Sequence, residues 1–220
     1  MKYADKNVSF TELLPHYFRI TRQLTYEKAC KPLLLFKAWW WGIKIGKEGS
    51  VNGLPIFRKT PGSTFTIGKN YRILSTFSSN LHGLNRKTMF NTISPNASLS
   101  IGDNCGFSAT VIACSHSIKI GNRVLVGANT TISDTDSHSI NYKERHPDYY
   151  GIREPGWKED IKLAPIVIED DVFIGMNTLV LKGVTIGKGS VIGAGSIVSK
   201  SIPPNVIAAG NPAVVIRTLA

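Results

Sequence analysis

The segment Asp134-Thr135-Asp136-Ser137-His138 holds the residues of this chain best suited to proton chemistry. Imidazole as a group takes up and releases protons near neutral pH, so a histidine placed beside carboxylates suits general-base work. His138 is set apart from His16, His82, His116 and His146 by its position: it falls where a repeating aliphatic residue is due, six places after Ile132, and a long stretch without repeat follows it. Asp136, two residues earlier, suits orienting the ring or binding a substrate hydroxyl; the plainer alternative is a turn carboxylate beside Asp134.

The element that must position these residues is read from the stretch 168–198. An aliphatic residue returns every sixth position, at Ile168, Ile174, Val180, Ile186, Ile192 and Val198, and the next residue is small at Gly175, Gly187, Gly193 and Ser199. Six matches neither the 3.6-residue period of an amphipathic helix nor the two-residue alternation of a half-buried strand. It fits a chain that runs straight, bends and runs straight again, so that three sides close a coil and the coils stack as parallel strands about 4.8 Å apart. Glycine after each anchor is expected to give the bend its positive φ. The same register shows at Ile67-Gly68, Ile73, Ile101-Gly102, Phe107, Ile120-Gly121, Val126-Gly127 and Ile132, and blurs over 75–91, where a loop or irregular coil is expected.

Three parts follow. Residues 1–42 lack the repeat; Phe10, Leu13, Leu14, Tyr17, Phe18 and Leu24 recur at near-helical spacing, predicting one or two helices that cap the open end of the coil. The run Ala38-Trp39-Trp40-Trp41, beside Lys37, Lys44 and Lys47, suits either such a cap or peripheral contact with a membrane. Residues 43–202 form the repeat, interrupted over 139–165 by a charged loop with Tyr142, Tyr149, Tyr150 and Trp157, whose length and aromatics suggest function. Residues 203–220 begin with Pro203-Pro204, expected to end the ladder, and then fold back along the last coils.

Composition narrows the classes. The 220 residues carry 26 Lys and Arg against 15 Asp and Glu, a formal charge of +11, but the basic residues are scattered and no nucleic-acid motif accompanies them. They read as general surface charge with local phosphate contacts. Cys30, Cys105 and Cys114 have neither disulfide-framework nor metal spacing. No run approaches the roughly 20 apolar residues of a membrane span. The opening MKYADKNVSF lacks the order of a secretory leader, so a cytoplasmic location is expected. A G-x-S-x-G elbow and a G-x-x-x-x-G-K-[ST] phosphate loop are both absent.

Taken in order, the run from Ile120 to Ile132 leading into Asp134-Thr135-Asp136-Ser137-His138, then Val172 to Met176, Val184 to Gly187, Ile192 to Ser196 and Ala209 to Ala213, resembles the hexapeptide-repeat acyltransferases. The resemblance covers about residues 65–218, and the branch it is most similar to is that of galactoside, maltose and polysaccharide O-acetyltransferases. It implies an all-β left-handed parallel β-helix, a homotrimer with active sites between subunits, acetyl-CoA as acyl donor, no required metal, and a saccharide hydroxyl as acceptor, with a surface or capsular polysaccharide precursor as the expected one. It implies His138 as general base, with Asp136 beside it. It places Met176, Gly193, Ala194, Ser199, Lys200 and Arg217 along the CoA groove; physically, Gly193, Ala194 and Gly195 offer bare backbone to an extended pantetheine, while Lys200 and Arg217 suit phosphates. Val214 stands where the family commonly has a second basic residue for the phosphates; Phe107 and Ser115 depart from its acceptor-side asparagine and aspartate, so the acceptor is assigned to the loop, with Tyr142, Arg145 and Arg153 as its binding residues. Two other readings stay open: transfer to a non-sugar hydroxyl such as serine's or an antibiotic's, and a non-catalytic β-helix scaffold.

Overall fold

The structure, a computed structural model, describes residues 9–149 and 160–219, with only the backbone of 146–149. Its body is a three-sided coil of parallel strands. The first face stacks Lys44–Ile45, Thr64–Ile67, Ser98–Ile101, Ser117–Ile120, Ile166–Ile168 and Thr185–Ile186. The second stacks Gly49–Asn52, Tyr71–Leu74, Gly106–Ser108, Leu125–Val126, Phe173–Ile174, Val191–Ile192 and Val206–Gly210, with Ala213–Thr218 added antiparallel at its edge. The third stacks Ile56–Lys59, Met89–Thr92, Val111–Cys114, Thr131–Ser133, Leu179–Val180 and Ile197–Val198.

Register explains the period. On the first face Ile45, Ile67, Ile101, Ile120, Ile168 and Ile186 are direct partners from coil to coil, so each anchor stacks on its predecessor inside the prism. Each fully buried aliphatic anchor contributes about 1.5–3 kcal/mol. Towards the N-terminal end the anchors become aromatic: Phe57, Phe65, Phe90 and Phe107 pack with ring centroids 5.4–6.0 Å apart. The sequence signal is weak there because large rings replace the Ile and Val of later coils.

The glycines after the anchors act differently from the expectation. Gly175 and Gly193 are not among the residues with positive φ; the left-handed positions come two residues later, at Asn70, Asn104, Arg123, Asn129, Asp171, Asn177 and Gly195. A Cβ on Gly175 would lie 2.5 Å from the Ala194 backbone nitrogen, and one on Gly127 would lie 2.6 Å from that of Met176. Close approach of the next coil, not φ, excludes a side chain there.

The helical cap is borne out, and one further expectation is corrected. The N-terminal part is a single helix, α1 (Phe10–Trp40), opened by a Ser9–Glu12 capping box. It closes where Gly42 enters φ +62 while its N–H donates to Trp39 and that of Ile43 donates to Ala38, a Schellman arrangement. Cys30, Leu34 and Ala38 of α1 join the core beside Ile43 and Val51, so the C-terminal half of the helix caps the first coil, whereas Phe10, Leu14, Tyr17, Phe18 and Leu24 are exposed. Pro203-Pro204 does not end the ladder: the prolines turn the corner between first and second faces, where no ladder N–H is required, and Val206–Gly210 adds one more parallel strand beside Val191–Ile192. Within the inserted loop lies a second helix, α2 (Tyr142–Tyr149).

Candidate active site

The coil breaks at the end of Thr131–Ser133, and the break is anchored from inside. Asp134 is fully buried. Its Oδ1 accepts from the Ser115 N–H at 2.6 Å, and its Oδ2 accepts from those of His116 and Ser117 at 2.8 Å each. Three converging backbone amides thus satisfy both oxygens of this buried carboxylate. Beneath it the Cys114 thiol is pushed up to about 12, by burial first and then by the charge of Asp134, which leaves it an inert packing residue.

Beyond Asp134 the two ends of the insertion pair with each other. Thr135 and Leu163 form an antiparallel bridge, the Ala164 N–H donates to the Asp134 carbonyl at 3.1 Å, and the Asp136 N–H donates to that of Lys162 at 3.2 Å. Ser137 then takes φ +66, with its N–H on the Thr135 hydroxyl at 3.0 Å, and this tight turn delivers His138 to the surface in exposed position. A left-handed conformation at a non-glycine residue costs about 1–2 kcal/mol, which the surrounding pairings offset. Asp136 is held by Lys182, whose Nζ donates to its Oδ1. Lys182 was not singled out from sequence, although it follows Leu181 in the repeat that returns beside the break.

The loop is tied from its own start. The Glu144 carboxylate accepts from the Ser139 hydroxyl at 2.6 Å, from Asn141 Nδ2 at 3.0 Å and from the Asp160 N–H at 3.2 Å, so it clasps the two ends of the insertion. The Ser139 hydroxyl is the first cause holding Glu144 below the usual carboxylate range, followed by Asn141 and the Asp160 amide. Tyr142 and Arg145 sit on α2, both exposed. Arg153, Tyr150 and Trp157 lie outside the described residues, as do the side chains of His146 and Tyr149.

The remaining expected site residues fall into separate groups. Met176, Gly193 and Ala194 share the corner between second and third faces, where Gly195 N–H donates to the Met176 carbonyl at 2.8 Å and the backbone of Ala194-Gly195 is exposed. Ser199 and Lys200 lie at the other end of the third face, exposed, one coil beyond Leu181-Lys182 and therefore on the same corner as Asp136 and His138. Arg217 sits on the edge strand of the second face opposite Ile207, and it is exposed. A single chain thus gathers His138, Asp136, Lys182, Ser199 and Lys200 at one corner, and Met176, Gly193 and Ala194 at another, with a strand pair of the third face between them. Phe107, noted as a departure near the acceptor, points into the core against Phe90. Arg86 also went unremarked: from the loop over 75–88 it donates to the carbonyls of Ala109 and Thr130 at 3.0 Å each, tying that loop to two coils at the corner shared by Met176.

The family described as bacterial transferase hexapeptide (six repeats) matches residues 165–200, and the hexapeptide repeat of succinyl-transferase matches 98–134. Galactoside O-acetyltransferase from Escherichia coli (strain K12) is 38% identical over 147 residues, covering 60% of this chain and 66% of that protein. The chain belongs to the hexapeptide-repeat transferases. Among these transferases, galactoside O-acetyltransferase from Lactococcus lactis subsp. lactis (strain IL1403) is also 38% identical, over 153 residues, 70% of this chain and 62% of that one. The chain therefore spans less than two thirds of the length of both relatives. An N-acyltransferase from Bacillus cereus, solved with dTDP-4-amino-4,6-dideoxyglucose and coenzyme A, superposes with a TM-score of 0.58 at 16% identity, covering 81% of this chain and 84% of the other. That likeness is one of fold, and the hexapeptide-repeat coil is the left-handed parallel β-helix. Among the described residues no group of three or more His, Cys, Asp or Glu is placed to hold a metal ion.

Proposed function

We propose that the chain moves an acetyl group from acetyl-CoA to a hydroxyl of a saccharide. The observation that carries this reading is the site of the break: a repeat that otherwise holds aliphatic anchors delivers His138 to the surface from a turn locked by Asp134, in a chain 38% identical to galactoside O-acetyltransferases over most of its coil. In this reaction the imidazole of His138 takes the hydroxyl proton as the acceptor oxygen attacks the thioester carbonyl carbon. The carbon–sulfur bond breaks, and the proton passes from the imidazolium to the departing CoA sulfur. Asp136, fixed by Lys182, holds the turn and faces the acceptor.

Acetyl-CoA is a substrate here. Its pantetheine lies against the bare backbone of Gly193, Ala194 and Gly195 beside Met176 of one copy, Ser199 and Lys200 at the His138 corner face it from the neighbouring copy, and Lys200 and Arg217 meet its phosphates. Because the His138 corner and the Ala194 corner stand at opposite ends of the third face, the reading is completed by a homotrimer in which one copy presents the histidine and its neighbour the groove. The acceptor is bound by the loop, with Tyr142 and Arg145 on α2, and is a precursor of a surface or capsular polysaccharide. Use of acetyl-CoA places the reaction in the cytoplasm.

Release of free thiol from acetyl-CoA over a panel of sugars, nucleotide sugars and oligosaccharides is the test. Acceptor-dependent release that falls by about 10²–10⁴-fold in His138→Ala, with folding unchanged, is expected. Full activity in that variant would remove His138 as the base.

A further inference from the structure

The most conspicuous surface that the transferase reading leaves unused is the outward face of α1. At 3.6 residues per turn, Phe10, Leu14, Phe18, Thr25, Ala29, Phe36 and Trp39 form one stripe along the helix, turned away from Cys30, Leu34 and Ala38, which pack on the coil. Phe10, Phe18, Trp39 and Trp40 are each more than 70% exposed, and Phe36 is 56% exposed. The usual polarity of a surface helix is inverted: Glu12 and Glu27, the acidic residues of α1, lie toward the coil side, whereas the apolar stripe faces out.

The charged residues that border the stripe on α1 itself are basic. Arg22 borders it on one side and Lys28 on the other, and exposed Lys44 and Lys47 follow the tryptophans. On the flank, Arg19 and Arg22 share a cleft with Tyr26, Asn52, Thr76 and Ser78, and no carboxylate lines it. We infer that α1 lies flat on an anionic phospholipid surface, with its aromatic stripe in the headgroup and upper acyl region and its bordering arginines and lysines on lipid phosphates. No helix among the described residues is long and apolar enough to cross a membrane, so the contact is peripheral.

A second copy of the chain is the rival occupant, and charge argues against it. Two such faces would bring arginine and lysine against arginine and lysine in a chain of formal charge +11, whereas an anionic surface attracts every one of them. Tryptophan beside lysine also suits the membrane boundary, where the ring has both an apolar body and a polar N–H. Apolar insertion and basic attraction together are the two signals that stable peripheral binding needs. The inference does not depend on acetyl transfer.

The test is co-sedimentation of the full chain with vesicles of phosphatidylcholine containing about one third phosphatidylglycerol, beside phosphatidylcholine alone. Binding to the anionic vesicles, weakened by salt and accompanied by a blue shift of tryptophan emission, is expected. The triple variant Phe36→Ser, Trp39→Ser, Trp40→Ser should bind at least about tenfold more weakly with unchanged melting temperature, because these side chains contact solvent already. Arg22→Gln with Lys28→Gln should reduce the preference for anionic over neutral vesicles. Absence of binding by the unmodified chain, or undiminished binding by the triple variant, overturns the proposal; so does a triple variant whose assembly mass drops while the unmodified chain ignores vesicles, since the face would then join copies.

Discussion

Asp134 shows how a single side chain holds a site open in a repetitive fold. Its carboxylate fills the space a coil residue would occupy and satisfies three backbone amides that would otherwise lack partners. Asp134→Asn keeps the shape but turns an amide NH2 toward N–H donors, so a loss of about 2–4 kcal/mol in urea unfolding is expected, together with lower activity. Sequence reading reached His138 because the ring interrupts a count of six, a signal that needs no structure. It could not rank Asp134 above Asp136, because burial and amide convergence are made by strands on other coils. The role of Lys182 was equally hidden: its partner is far away in sequence, across the insertion.

At the scale of the element, the repeat was legible wherever inward side chains were Ile or Val, and illegible where Phe57, Phe65 and Phe90 take their place. The glycines were read correctly as bend residues but for the wrong cause. This is open to measurement: Gly175→Ala drives a methyl into the neighbouring backbone and should cost about 3 kcal/mol or more, whereas Gly195→Ala meets nothing within 4 Å and should cost only the about 1–2 kcal/mol of a left-handed alanine. Equal losses in thermal or urea denaturation would return the explanation to φ. In the loop, α2 escaped notice because its residues carry no apolar stripe, and the clasp at Glu144 depends on fold-back. As its carboxyl is held below the usual range, the clasp is fully present above that range and is lost as pH falls through the depressed value. Limited proteolysis within 139–160 should accelerate on that acid side, and at neutral pH in Glu144→Gln, with the melting temperature of the coil unchanged.

For the whole molecule, the separation of the His138 corner from the Met176 and Ala194 corner is what makes assembly part of the proposed chemistry. It also explains why the site residues expected from sequence do not become a pocket in one chain: the coil fixes which corner each residue occupies, and the third face holds the two corners apart. The measurement that tests this most directly is subunit complementation. His138→Ala and Ala194→Trp, each expected to be inactive in thiol release from acetyl-CoA, would be co-assembled in equal amounts. If one copy supplies the base and its neighbour the groove of a trimer, about a quarter of the sites regain both intact halves, and about a quarter of the unmodified activity returns. A mixture as silent as its parents would contradict the shared site and return the whole of the chemistry to a single chain.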